Sequence, residues 1–131
     1  GHGVLDVLGN LFAAQVENVN VHPTTGEAQQ HDAADEVAIL VFTEFGRRMR
    51  DNGSGTDHGT AGGAFIFGGN VLGGLYGEYP SLDPKDWVHG EDLGHTIDFR
   101  SVYGTLLEQW MNIEAKPIVK GDYEQFFPFG Q

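Results

Sequence analysis

The chain has 131 residues, 40% of them hydrophobic, which suits the modest core of one domain and excludes a disordered chain. Seven Lys+Arg stand against 19 Asp+Glu, a formal net charge of −12 that repels a nucleic-acid backbone and an anionic membrane surface alike, so neither is an expected partner. Cysteine is absent, which excludes disulfides and thiolate metal sites, and no apolar stretch approaches the ~20 residues that span a bilayer.

The chain opens on Gly1-His2-Gly3, with neither a methionine nor a charged-then-apolar leader, as a processed or trimmed sequence would. Val4, Leu5, Leu8, Leu11, Phe12 and Val16 recur at three- and four-residue intervals and predict a helix over residues 4 to 17, weakened at Gly9. Residues 18 to 36 are polar, with His22-Pro23-Thr24-Thr25-Gly26 as a turn, and predict a connecting loop. Val37-Ala38-Ile39-Leu40-Val41-Phe42 is a continuous β-rich apolar run, the pattern of a central strand covered on both faces in a mainly parallel sheet. Ala64-Phe65-Ile66-Phe67, flanked by glycine pairs, predicts the neighbouring strand.

Residues 70 to 96 carry Gly73-Gly74, Gly77, Tyr79-Pro80 and Asp83-Pro84 and predict irregular chain near a functional rim. Helical period returns through Phe99, Val102, Tyr103, Leu106, Leu107 and Trp110, with Asp98 or Thr96 as N-cap. Tyr123, Phe126, Phe127 and Phe129 around Pro128 predict a tail that packs back on the body, since so many exposed aromatics would form a sticky patch. Helix and strand signals alternate in α/β fashion, with too few strands for a complete doubly wound sheet. Residues 1 to 131 are then a single domain or the C-terminal fragment of a larger one.

Open α/β sheets collect functional residues just beyond their strand ends, which is where Thr43-Glu44 falls. A glutamate there suits a hard metal or a base, and equally an ordinary solvated acid. Arg47 and Arg48 follow; an arginine fork matches phosphate or sulfate oxygens, although a surface ion pair is the commoner use. Asn52-Gly53-Ser54-Gly55-Thr56 lacks the lysine of a phosphate-cradling loop and reads as a flexible loop that delivers Asp57-His58-Gly59. Carboxylate and imidazole together suit zinc, manganese and related ions, with Asp57 either a ligand or the group that orients His58. His22, His31 and His89 read as solvated loop residues, His95 leads into the last helix, and His2 stands before the first. No Gly-x-Ser-x-Gly elbow is present, and 19 acids offer no particular pair for glycoside hydrolysis.

The run VFTEFGRRMRDNGSGTDHGTAGGAFIFGGNVLGGLYGEYPSL, followed by TIDFRSVYGTLLEQW, resembles the C-terminal part of the domain-of-unknown-function 1501 family, which is sulfatase-like and related to the alkaline phosphatase superfamily. The resemblance implies an α/β fold, a partial alkaline-phosphatase- or sulfatase-like sandwich of a few mainly parallel strands with flanking helices. Metal ligands would stand at its strand ends around a phosphate or sulfate ester. In the superfamily an Asp-His pair closes one central strand and another histidine precedes the next. Thr43-Glu44-Phe45-Gly46 resembles the first place, with Phe45 where a histidine is usual, and His58 resembles the second. The alternative equates Asp57-His58 with the Asp-His pair directly. Gly1-His2-Gly3 resembles the end of an earlier Asp-x-His step.

The kinship thus implies a portion of a metal-dependent hydrolase that holds a divalent metal (zinc, manganese or calcium) on Glu44, Asp57, His58 and His2. Arg47 would be its catalytic residue, Asp98 and Arg100 a structural pair, and the nucleophile would lie outside this chain. It also suggests a periplasmic or exported protein acting on a small-molecule ester. The rival expectations are a non-catalytic metal- or anion-binding module of the same scaffold, and a fragment stabilised as a homo-oligomer or by a partner that supplies missing strands.

Overall fold

The computed structural model of the protein describes residues 10–17, as backbone, and 34–130. His2, His22, His31, the first part of the expected helix and most of the polar connection lie outside the described residues. Strands β1 (Asn10–Glu17), β2 (Ala38–Phe42), β5 (Ala61–Gly68) and β6 (Gly74–Tyr76) form one sheet in the order β2-β5-β1-β6. β3 (Gly46–Asp51) and β4 (Thr56–Gly59) form a separate hairpin. Helix α1 (Phe99–Thr105) runs on into a wider turn at Leu106–Trp110, and α2 (Lys116–Val119) is a short helix with proline in its first turn. Among the described residues no helix is long and apolar enough to cross a membrane.

Two expectations about this sheet are corrected. Residues 10–17 are a strand, where the apolar spacing predicts helix: β1 lies between β5 and β6, Asn10 beside Ala61 and Ala14 beside Tyr76. The run Leu11-Phe12-Ala13-Ala14 fits either period, and ladder bonding on both sides decides it. The strands are not mainly parallel either. Only β1 and β5 pair in parallel among the described residues, whereas β2–β5, β1–β6 and β3–β4 are antiparallel. The connection from β2 to β5 contains a hairpin and no crossover helix, and a parallel neighbour requires a crossover.

The run at 37–42 does form a strand beside the one at 64–67, yet among the described residues β2 sits at the sheet edge and not in its centre. Its alternation with β5 separates two faces. Leu40 opposite Ile66, and Phe42 opposite Ala64, face the core that α1 closes. There Ala64, Ile66, Val71, Phe99 and Val102 are buried, with Tyr76, Ile97, Tyr103, Leu106, Phe126 and Phe129 packed around them. On the other face Ile39 opposes Phe67 and Val41 opposes Phe65, and Val41 keeps 49% of its surface exposed. Among the described residues, then, helices cover one face of this sheet and not both.

The later elements follow their sequence signals. Asp98, and not Thr96, caps α1: its Oδ1 accepts the backbone N–H of Arg100 at 2.9 Å. The aromatic tail packs back, with Pro128 fully buried, Phe126 5.3 Å from Tyr76 and Phe129 5.0 Å from Trp110 between ring centres. The backbone N–H of Leu72 donates to the Pro128 carbonyl at 2.6 Å and ties the tail to the sheet rim.

Candidate functional site: the face of the β3–β4 hairpin

Each residue of Thr43-Glu44-Phe45-Gly46-Arg47 has a local task. The Thr43 hydroxyl accepts the N–H of Phe45 at 3.1 Å, a side-chain turn that leads the chain out of β2, with Glu44 half-buried in the bend. A Cβ at Gly46 would clash with the carbonyl oxygen of Ala61, so this glycine lets β3 cross against the start of β5. A Cβ at Gly59 would come within 2.9 Å of the Arg47 backbone, so β4 closes on β3 only with glycine there.

Asn52-Gly53-Ser54-Gly55 forms the hairpin tip. The Asn52 side-chain oxygen accepts from the Ser54 N–H at 3.0 Å, while Gly53 (φ 95°) and Gly55 (φ 139°) supply the backbone reversal. Thr56-Asp57-His58-Gly59 is itself a strand, so the segment is a hairpin with its own register, where the sequence predicts a loop arriving at the next strand.

That register sorts the charged side chains by face. Arg47 stands directly across from His58, and the Phe45 ring lies 4.9 Å from the imidazole at an interplanar angle of 37°. The Arg47 guanidinium donates to the Thr56 carbonyl at 2.7 Å. Asp57, one residue from His58, points to the opposite face by strand alternation and accepts from the Asn52 amide at 2.7 Å. The register shifts between Arg47 and Asp51, and within that stretch Arg48 and Arg50 both turn to the loop at 87–92. Arg48 Nε donates to Asp92 at 2.8 Å, and Arg50 pairs with Glu91 at 3.1 Å while lying 5.6 Å over the Trp87 ring. The Asp92 hydrogen bond raises the Arg48 guanidinium pKa above its ordinary value, with the charges of Asp57 and Glu91 adding to it.

The loop carrying these acids is pinned further. Val88 and Asp92 bridge each other across a turn at His89 (φ 49°), and the Thr60 hydroxyl donates to the Leu93 carbonyl at 3.0 Å. One face of the hairpin is therefore strapped down, and among the described residues the Arg47–His58 face is open.

Of the expected metal ligands, only Glu44, Asp57 and His58 lie among the described residues, and the hairpin does not converge them. Asp57 and His58 face opposite ways, His58 is flanked by an aromatic ring and a guanidinium, and no group of three or more His, Asp or Glu comes together as a metal-holding cluster among the described residues. A fixed guanidinium also opposes a second cation beside the imidazole. The part of this donor set that lies among the described residues does not fit a divalent metal. A cleft of about 440 Å3 among the described residues is lined by Glu78 and Glu124 among others, carboxylates that repel an anionic ester.

A family model described as a protein of unknown function, DUF1501, matches residues 27–120. The chain belongs to this family. No curated protein and no solved structure matches it. The DUF1501 match spans the hairpin, its strap and α1, and so takes in both TEFGR and DHG.

Within this DUF1501 chain, sequence reasoning singles out Arg47 and His58 but not the register that joins them, nor Asp92, Glu91 and Trp87 as the partners that occupy Arg48 and Arg50. The available signal is Arg47-Arg48-Met49-Arg50 itself: once it is a strand, a period of two separates Arg47 from its neighbours. His89 and His95 are exposed. Asp98 and Arg100 form the expected structural pair, bidentate at 2.8 and 2.6 Å, with the Arg100 guanidinium 4.4 Å over Tyr123.

Proposed function

We propose that this DUF1501 chain is the C-terminal portion of a sulfatase- or phosphatase-like scaffold, and that its own residues bind the anionic group of a phosphate or sulfate ester. The observation that supports this reading is Arg47 across from His58, with no carboxylate paired to Arg47 among the described residues, whereas Arg48, Arg50 and Arg100 each hold one. One of the five guanidinium donors is given to Thr56, and the remainder form a fork matched to two oxygens of a tetrahedral anion. The His58 ring adds a donor on the same face.

On a chain of net charge −12 an anion is repelled almost everywhere, so an arginine without a carboxylate partner has a selective value that it lacks on a neutral surface. In a complete hydrolase site the same fork stabilises charge that develops on the non-bridging oxygens, and Arg47 is then its electrostatic catalyst. Without turnover it is an anion-binding module.

Titration calorimetry with inorganic phosphate and sulfate at low ionic strength tests the reading. Saturable binding that weakens at least about tenfold in Arg47→Ala, as expected for loss of a charge-assisted bond, supports it. Absence of binding, or equal binding by Arg47→Ala, overturns it. A stoichiometric metal lost on Glu44→Ala or His58→Ala would instead make those side chains ligands and replace the anion role of His58.

A further inference from the structure

We propose that the ligand on this face carries an apolar or aromatic body beside its anionic group, received by Phe45 and Met49 on either side of Arg47. The proposal rests on the anion-binding reading above and assigns the other half of the ligand.

Arg48 and Arg50 both turn to the strap, so Met49 between them points away from it, toward the Arg47 side, and Phe45, just before β3, reaches that side through its ring contact with His58, the residue paired with Arg47. Phe45 is 54% exposed and Met49 41% exposed. Single exposed apolar side chains are ordinary on a protein surface. Here two of them flank an arginine that has no acid partner among the described residues, which makes a mixed stripe of apolar, cationic and apolar character. The Phe45 ring is also held in place: its backbone N–H is fixed by Thr43 and its ring rests on His58. A ring already ordered loses little rotamer freedom when a ligand covers it.

Spacing fits the assignment. Residues i and i+2 of extended chain stand at most roughly 7 Å apart, within the distance from the phosphorus of a phenyl ester to the far side of its ring. An anion on Arg47 thus lays an attached ring against Phe45 or Met49. A polar body such as glycerol would leave both side chains wet and gain nothing from them. Met49 suits rings of differing shape, since its unbranched thioether adapts to the contact.

The test is titration of the protein with inorganic phosphate, glycerol 2-phosphate and phenyl phosphate. Phenyl phosphate is expected to bind about tenfold more tightly than the other two, from burial of roughly half a ring. Phe45→Ala and Met49→Ser are expected to erase that preference while inorganic phosphate binding stays within about twofold. Phe45→Leu, which keeps apolar area without the ring, separates aromatic from general apolar contact and retains part of the preference. Equal binding of phenyl and glycerol phosphates, both still abolished in Arg47→Ala, would overturn this proposal and leave the anion site standing. Binding of none of the three overturns both.

Discussion

Arg48 Nε reaches the Asp92 carboxylate at 2.8 Å across 44 residues of sequence, and with the Arg50–Glu91 pair beside it that bond ties the hairpin to the loop at 87–92. Asp92 is only 5% exposed, so it needs its partner more than Arg48 does. Arg48→Ala strands that buried acid, whereas Arg47→Ala gives up one bond to an exposed carbonyl. Thermal melts are expected to show a Tm lower by roughly 5 °C for Arg48→Ala and within about 1 °C of the parent for Arg47→Ala. Equal Tm values for the two variants would remove the strap from the account.

Gly46 is the second point on which the hairpin depends. The methyl of Gly46→Ala would meet the Ala61 carbonyl, and backbone does not step aside as a flexible side chain does. A loss of about 3 kcal/mol or failure to fold is expected, at the upper end of overpacking costs. Gly53→Ala is the contrast: open space surrounds it, so only its φ of 95° counts, at about 1 kcal/mol. Urea unfolding of both variants gives the comparison, and a milder effect at Gly46 than at Gly53 would contradict the close crossing of β3 and β5.

The elements legible in the sequence were those whose signals are local. Asp98 announces a helix start by its own capping chemistry, and the period from Phe99 to Trp110 is long enough to be unambiguous. The strand at Asn10–Glu17 is not legible, because a short apolar run has no unique period until its neighbours in the sheet are known. The same non-local information hid the site. Arg47 and His58 are 11 residues apart in sequence, and only the pairing register makes them one feature and turns Asp57 away. The sheet edge position of β2 was equally hidden, because an apolar run does not say how many of its faces are covered.

The two faces of the sheet differ enough to be separated by truncation. Ile66 is 0% exposed and faces α1, so Ile66→Ala leaves a cavity and is expected to cost about 2–5 kcal/mol. Val41 lies on the other face with 49% of its surface in contact with solvent, and Val41→Ala should cost less than about 1 kcal/mol. Chemical denaturation of the pair measures both. A cost at Val41 matching that at Ile66 would mean that the outer face is buried in solution.

Asp98 combines two roles that one pair of substitutions can divide. It caps α1 through the Arg100 N–H and pairs bidentately with the Arg100 guanidinium, whose hydrogen bond holds the Asp98 carboxyl below the usual carboxylate range. A carboxyl with a depressed folded-state pKa adds stability above its unfolded value near 4, and that contribution is lost as the pH falls through the folded-state value. Asparagine caps a helix about as well as aspartate but carries no charge, so Asp98→Asn removes the pair and spares the cap. Asp98→Ala removes both and is expected to be less stable than Asp98→Asn by about 1 kcal/mol at every pH. Urea unfolding at pH 7 and at pH 3 should find the deficit of Asp98→Asn largest at pH 7 and smaller in acid, where the parent begins to lose the same charge. A deficit that stays constant between the two would show that the ion pair adds nothing beyond the cap.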